Sequence, residues 1–386
     1  MIDEATAHAW TALGGRAHLA ESVAYETAGP VLPARLPVRE LARATVGACS
    51  LAAAELLALR RAEPMRPILV HEGAVATAFV SERHLRVDGR SHPLFAPLSG
   101  FWRASDGWVR THANYPHHRA RLLAALEIPD TGDDATLAET LREELATRPA
   151  ESVQETVYEA GGLAVAVASA PSELRLPLVE TRRTGDAEPR PLPASTLPAA
   201  GVRVLDLTRV IAGPVASRTL ALLGADVLRV DSPRLPEDAM SHADTGMGKR
   251  SALLDLSRPD DRAVFDDLLG TADVVLTGYR PGALDRLGLS PDALSARRPD
   301  LIVARLSAWG WAGPSWGDGP GYLLAAAVLR ALSDRHTDGG GRHLSFSLRG
   351  TASWLIRETR REPPGRVTPV PELRFRERGA APRPGG

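Results

Sequence analysis

The 386 residues contain one cysteine, Cys49, and one lysine, Lys249. A lone cysteine excludes an internal disulfide and any cysteine-based metal site. Its place in an alanine-rich helical pattern predicts a core position. The shortage of lysine is the sharper fact, because Lys and Arg together number 46. With 34 Gly and 31 Pro, this fits a GC-rich genome in which arginine stands wherever either cation serves. A compact ammonium and a planar fork are not interchangeable at a tight site, so Lys249 is a candidate functional residue, against the alternative of chance. The formal net charge is −1, which gives no overall attraction to nucleic acid or to an anionic membrane. The opening MIDEATAHAW is acidic and lacks a signal-peptide pattern. No uninterrupted apolar run approaches the ~18 residues of a membrane span. These absences predict a soluble cytoplasmic protein with no nucleic-acid or membrane partner. Also missing are G-x-G-x-x-G, a Walker loop, G-x-S-x-G and H-E-x-x-H. His71-Glu72 lacks a second histidine for zinc. In HANYPHH, His117 and His118 would diverge on a helix, so they and His112 are expected at a helix start on the surface, with no metal.

What is present has the composition of a globular chain, with 44% apolar and 24% charged residues. Residues 1–100 are mostly helical in pattern. Within 101–180, FWRASDGWVRTHANYPHHRARLLAALEIP reads as two short strands joined at Ser105-Asp106-Gly107, then a helix. SVQETVYEAGGLAVAVASAPSEL reads as a helix, a Gly-Gly stop and a strand. Residues 181–200 are a linker by composition, and 358–386 form a Pro/Arg/Gly-rich tail with little to bury. Between them, 201–357 alternates strands and helices. Strands are predicted at 202–208, 226–233, 249–256, 273–279 and 301–310. A helix is expected from Ser257 as N-cap with Asp260 and Asp261 in its first turn, and another from Ser290 with Pro291 at its first position. This alternation predicts an α/β fold, a parallel sheet covered on both faces, whose ligands sit at the carboxyl ends of the strands. An internal echo is visible as well. Residues 37–80 and 317–356 share the order helix, loop, strand, helix, with Glu40 and Asp318 just ahead of alanine-rich helices.

The most informative stretch is RVIAGPVASRTLALLGADVLRVDSP. A strand ends, Ala212-Gly213-Pro214 turns sharply, and a helix begins. Free N–H groups at that helix start suit an anion, although a plain strand-to-helix turn reads the same way. GVRVLDLTRVIAGPVASRTLALLGADVLRVDSP, then GKRSALLDL, then DVVLTGYRPGALDRLGLSPDALSARRPDLIVARLSAWGWAGP, resembles the family III CoA-transferases, which include carnitine and formyl-CoA transferases and alpha-methylacyl-CoA racemases. The resemblance runs from 201 to 314 and resumes at 321–356. It implies a Rossmann-like large domain with a smaller α+β domain, no permanent cofactor, and acyl-CoA and a carboxylic acid as substrates. It also implies a homodimer or a paired subunit. Carried over residue by residue, Val210, Ile211 and Ala212 would line the adenine and pantetheine path. Lys249, Arg286 and Leu287 would contact CoA, and Arg234 lies near a matching basic position.

The resemblance makes Asp318 the nucleophile, passing through an acyl–aspartyl anhydride and an aspartyl-CoA thioester. Two departures stand beside this. The family's long stretch between AWGWAGP and the aspartate is cut to SWG, and only Gly319 and Pro320 separate Asp318 from Gly321. Three readings follow: a CoA-transferase, a non-catalytic CoA-binding or partner subunit of the family, and an acyl-CoA racemase. The racemase needs an acid–base pair for which His112 is only a candidate. Asp318 itself also reads as a helix N-terminal acid.

Overall fold

The computed structural model describes residues 3–91, 95–168, 176–235, 237, 239–307 and 321–357. Chain order runs α1 (Glu4–Ala12), β1 (Val23–Glu26), α2 (Val38–Arg61), β2 (Ile68–His71), α3 (Glu72–Phe79), α4 (Ser81–His84), β3 (Phe101–Arg103), β4 (Trp108–Thr111), α5 (Pro116–Ala125), α6 (Asp134–Thr147), α7 (Ala150–Glu159) and β5 (Ala164–Ala166). It continues with β6 (Glu180–Thr184), β7 (Arg203–Leu207), α8 (Ala212–Leu222), β8 (Asp226–Asp231), α9 (Ala239–Thr245), β9 (Arg250–Leu253), α10 (Pro259–Thr271), β10 (Val274–Thr277), α11 (Pro291–Arg297), β11 (Ile302–Ser307), α12 (Gly321–Asp338), β12 (Gly341–Ser347) and α13 (Leu348–Arg357). Two compact units result. One holds the described parts of 1–80, 176–237 and 245–357, the other those of 81–175 and 238–244.

The first unit is built on a seven-stranded sheet in the order β6-β12-β11-β10-β7-β8-β9. Six strands are parallel, and β6 is antiparallel at the edge. Counted by chain position, the parallel strands run 3-2-1-4-5-6, so the winding reverses between β7 and β10. Parallel strands must be covered on both faces, and the side chains alternate accordingly. Val204, Val227, Leu276, Ile302 and Phe346 join α2, α8 and α12 in one core. Leu205, Val230, Val275 and Val303 join α10 and α11 in another. Cys49 is part of the first core, where burial pushes its thiol up to about 12. Among the described residues only α2 is long and apolar enough to cross a bilayer, and 67% of that stretch is buried inside the protein. The helix α10 starts later than its sequence suggests. Pro259 sets its first turn, Arg258 is the N-cap, and Ser257 instead donates its hydroxyl to Asp255 (2.6 Å). Ser290 does cap α11, accepting the Ala293 N–H at 3.2 Å.

The echo in the sequence is matched by an echo in structure. β1 pairs in parallel with β2 across α2, as β11 pairs with β12 across α12. In both, the next strand runs directly into a helix, α3 or α13. The helices α2 and α12 lie in the same core, where alanines on both keep their axes close. Segment 181–200 contributes most of β6, and the Arg60 guanidinium donates to the carbonyls of Pro193 (2.9 Å), Pro198 (2.8 Å) and Ala200 (2.9 Å).

The second unit carries the antiparallel sheet β3-β4-β5. Its hairpin turns at Ser105-Asp106-Gly107, and Asp106 accepts the Ala150 N–H at 2.8 Å, which caps α7. Leu122, Leu141, Leu145, Val153 and Val157 fill its core.

On β12, burial beside the Arg305 and Arg182 cations pushes His343 down from 6.5 to about 4. Between those pH values the unfolded chain holds a proton that the folded chain lacks. Stability therefore falls as pH drops through this window. In His343→Gln the urea midpoint should drop less than in the parent between about pH 7 and about pH 4.5. Equal drops would contradict the assignment.

Candidate functional site

The carboxyl end of β7, at the point where the winding reverses, carries a dense hydrogen-bond network. Asp206 sits there with 0% exposure. A buried carboxylate needs full hydrogen-bond and charge compensation, and this one has it. Thr208 donates its N–H to Oδ1 at 2.9 Å and its hydroxyl to the same oxygen. On Oδ2, the Ser217 hydroxyl donates from α8, and Lys249 Nζ lies 3.1 Å away. Lys249 also donates to the Pro214 carbonyl (2.8 Å) and to Ser217 Oγ (2.6 Å). The ammonium thus meets three acceptors, two of which, Asp206 and Ser217, are hydrogen-bonded to each other. Burial pushes the lysine pKa below its usual range, and Asp206 works against that shift. The side chain is only 2% exposed, so the cation braces the turn from beneath.

The turn itself is tight. Gly213 is required by close approach: a Cβ there would lie 2.3 Å from Thr208 Cβ. Val210 has φ +68°, and among the described residues it is the one β-branched residue at positive φ. Such a conformation costs on the order of 1–3 kcal/mol and persists only where the surroundings hold it. Glu237 accepts the Val210 N–H at 3.2 Å through Oε2, the same oxygen that meets Arg229 Nη2 at 3.2 Å and Arg209 Nε at 3.5 Å. Arg229 is in turn held by both oxygens of Asp231 (2.7 and 2.9 Å). Ile211, the next residue, leaves 44% of its apolar surface exposed, whereas Ala212 is buried.

The other residues singled out by sequence lie on neighbouring loops. Arg234 follows β8, with its side chain 67% exposed and an ion pair to Asp255 at 2.8 Å. Arg286 and Leu287 form a single 3-10 turn after β10, Arg286 exposed and Leu287 packed against the core beneath α10 and α11. Beside them Thr277, Tyr279, Arg280, Asp285 and Arg305 line a shallow cleft at the ends of β10 and β11. Asp318 lies outside the described residues. Gly321, which opens α12 three positions later, packs on the first turn of α8: a Cβ there would meet the Ala212 oxygen at 2.4 Å. Asp206, Ser217, Arg229 and Glu237 were not singled out by sequence. The acid inside the apolar run VRVLDLT was the available signal for Asp206. In the other unit, the rings of His112, Tyr115, His117 and His118 lie against one another at 4.2–6.2 Å between centroids, two pairs stacked and three edge-to-face. Among the described residues, no three His, Cys, Asp or Glu side chains are grouped so as to hold a metal ion.

Residues 199–322, which contain this turn, match the model of CoA-transferase family III. The matched segment is similar to the family III CoA-transferases. Over 149 residues the chain is 40% identical to a probable fatty acyl-CoA transferase of Mycobacterium tuberculosis, covering 35% of this chain and 38% of that protein. It is 34% identical over 151 residues to the succinyl-CoA–L-malate CoA-transferase beta subunit of Chloroflexus aurantiacus, covering 36% and 37%. It is 40% identical over 135 residues to human alpha-methylacyl-CoA racemase, covering 34% and 35%. The chain thus spans little more than a third of the length of these relatives.

Gly213→Ala tests the close approach. Thr208 is tied to Asp206 and cannot retreat, so overpacking should outweigh the helix propensity gained. We expect a loss of about 1–3 kcal/mol in urea unfolding. An unchanged or raised stability would show that the turn can relax.

Proposed function

We propose that this chain binds acyl-CoA at the carboxyl edge of its parallel sheet, and that the protein moves CoA from an acyl-CoA donor to a carboxylic acid acceptor. The observation that carries the reading is the strained strand-turn-helix Arg209–Pro214, which lies inside the family-matched segment at the winding reversal. Ligands of open parallel sheets sit at such a reversal, and the order 3-2-1-4-5-6 of the parallel strands supports reading the sheet as Rossmann-like. In this reading Val210, Ile211 and Ala212 line the adenine and pantetheine path, and Lys249 supports them from below. Arg234 and Arg286 supply exposed cations for the phosphates, with Leu287 alongside.

The proposed chemistry runs through Asp318. Its carboxylate oxygen attacks the thioester carbonyl, the C–S bond breaks, and CoA leaves as thiolate from an acyl–aspartyl anhydride. The thiolate then attacks the aspartyl carbonyl, which releases the donor carboxylate and leaves an aspartyl-CoA thioester. The acceptor carboxylate displaces CoA again, and the thiolate takes the acceptor acyl group, which regenerates the aspartate. Splitting the exchange in this way replaces one hard step by several easier ones. Backbone N–H groups near a helix start are the donors such oxyanions need. A second reading, a CoA-binding partner subunit without its own turnover, is favoured by the cut of the stretch before Asp318 to SWG. One relative is itself named a beta subunit. In either reading the protein works in the cytoplasm and pairs with a second copy or another subunit.

Calorimetry should show CoA binding with a dissociation constant on the order of micromolar, about 8 kcal/mol. No heat at saturating CoA would overturn the reading. Incubation with a panel of acyl-CoAs should then leave a hydroxylamine-sensitive adduct on the Asp318 peptide, detected by mass spectrometry and absent from Asp318→Asn. CoA binding without any adduct would select the subunit reading.

A further inference from the structure

The turn at Arg209–Pro214 is held by two charges of opposite sign on opposite sides. Lys249 grips the Pro214 carbonyl and the Asp206–Ser217 pair beneath it. Glu237 grips the Val210 N–H and bridges it to Arg229 and Arg209. Both side chains are nearly out of solvent, at 2% and 6% exposure. Between the grips stands Val210, among the described residues the one β-branched residue at positive φ, where glycine or asparagine would fit without strain. A turn serving only to connect β7 to α8 has no use for valine there. Strain kept in place by buried charges is a mark of a shape that matters to something outside the fold. The next residue, Ile211, is the exposed apolar side chain that this shape presents.

We propose that Glu237 and Lys249 are positioning residues, a pair of buried clamps that hold the Val210–Ile211 turn in its strained form so that it is ready to receive the CoA moiety. This rests on the reading of the turn as part of a CoA site. Neither clamp needs to touch the ligand. Lys249 Nζ meets three acceptors, all of them within the protein: Asp206 Oδ2, Ser217 Oγ and the Pro214 carbonyl. The site is enclosed, with the Lys249 side chain 2% exposed, and a compact ammonium suits it better than a larger planar guanidinium, in keeping with a lysine standing here alone in a chain otherwise served by arginine.

The experiment uses the full chain and four variants: Val210→Gly, Glu237→Ala, Glu237→Gln and Lys249→Arg. Val210→Gly should raise the unfolding midpoint, because the strain is gone, yet weaken CoA binding by about tenfold, or 1.4 kcal/mol. Opposite signs in stability and affinity are not what a merely structural residue gives. Glu237→Ala should speed amide hydrogen exchange at residues 210–213 by roughly tenfold or more without CoA present, with β7 and β10 unchanged. Glu237→Gln keeps an acceptor for the Val210 N–H and should restore part of the protection, which covers the case in which the alanine variant does not fold. Lys249→Arg should weaken CoA binding while far-UV circular dichroism stays that of the parent. If the parent binds CoA and all folded variants bind it equally, or if exchange rises evenly across the sheet, the clamp is refuted. If the parent binds no CoA, the proposed function falls instead, and the exchange measurement still decides whether the turn is clamped.

Discussion

A carboxylate with no exposure at the end of a central parallel strand is the constraint on which the rest depends. Asp206 would be costly in that position without compensation, because removing one partner of a buried ion pair destabilises by about 3–5 kcal/mol. Its partners come from three segments: Thr208 on the turn, Ser217 on α8 and Lys249 ahead of β9. Satisfying one charge therefore fixes the strand, the helix and the approach of the outermost parallel strand together. The same network makes the turn short enough that only glycine fits at 213.

Close approach governs the next layer. Gly321 lets α12 begin directly against the first turn of α8, and α2 lies along α12 through small residues such as Ala44, Ala48 and Ala52 on one side and Ala325–Ala327 on the other. Helices that meet through alanine and glycine sit at the near end of the usual 8–10 Å range of interaxial distance, roughly. Charge is then placed over the seam: Arg330 of α12 pairs with Glu55 of α2 and with Asp334, and lies over the Trp10 ring at 5.6 Å. The N-terminal part is held to the sheet by helix packing, although β1 and β2 form their own separate pair.

Periodicity made much of this legible. The strands of 201–357 appear where alternating short apolar runs and helix caps place them, because parallel strands buried on both faces must be apolar throughout. The hairpin at Ser105-Asp106-Gly107, the Gly-Gly stop after α7 and the Ser290 cap were readable for the same local reason. What was not readable depends on partners distant in sequence. Glu237 meets a backbone N–H 27 residues away, and Arg60 meets carbonyls 133–140 residues away. Nothing in the composition of 181–200 signals that its first residues pair antiparallel with β12. Ser257 was misplaced as a cap because Asp255 competes for its hydroxyl and Pro259 already starts the helix. The strain at Val210 carries no sequence mark, since strain is a property of φ and not of residue type.

The buried and exposed cations divide the work by their surroundings. The Lys249–Asp206 pair is out of water, so a ligand could not separate it without leaving a bare charge in a medium of low dielectric. In the Arg234–Asp255 pair the guanidinium is 67% exposed, while the carboxylate is 12% exposed and also accepts from the Ser257 N–H and hydroxyl, so a phosphate can take the guanidinium without leaving the carboxylate bare. Shape is therefore set by the cation that cannot be released, and in the proposed reading the charge offered to a ligand comes from cations that can. At the rim either lysine or arginine serves, and the chain has arginine. Beneath the turn the space is enclosed and a compact ammonium reaches all three acceptors, and there the chain keeps its one lysine.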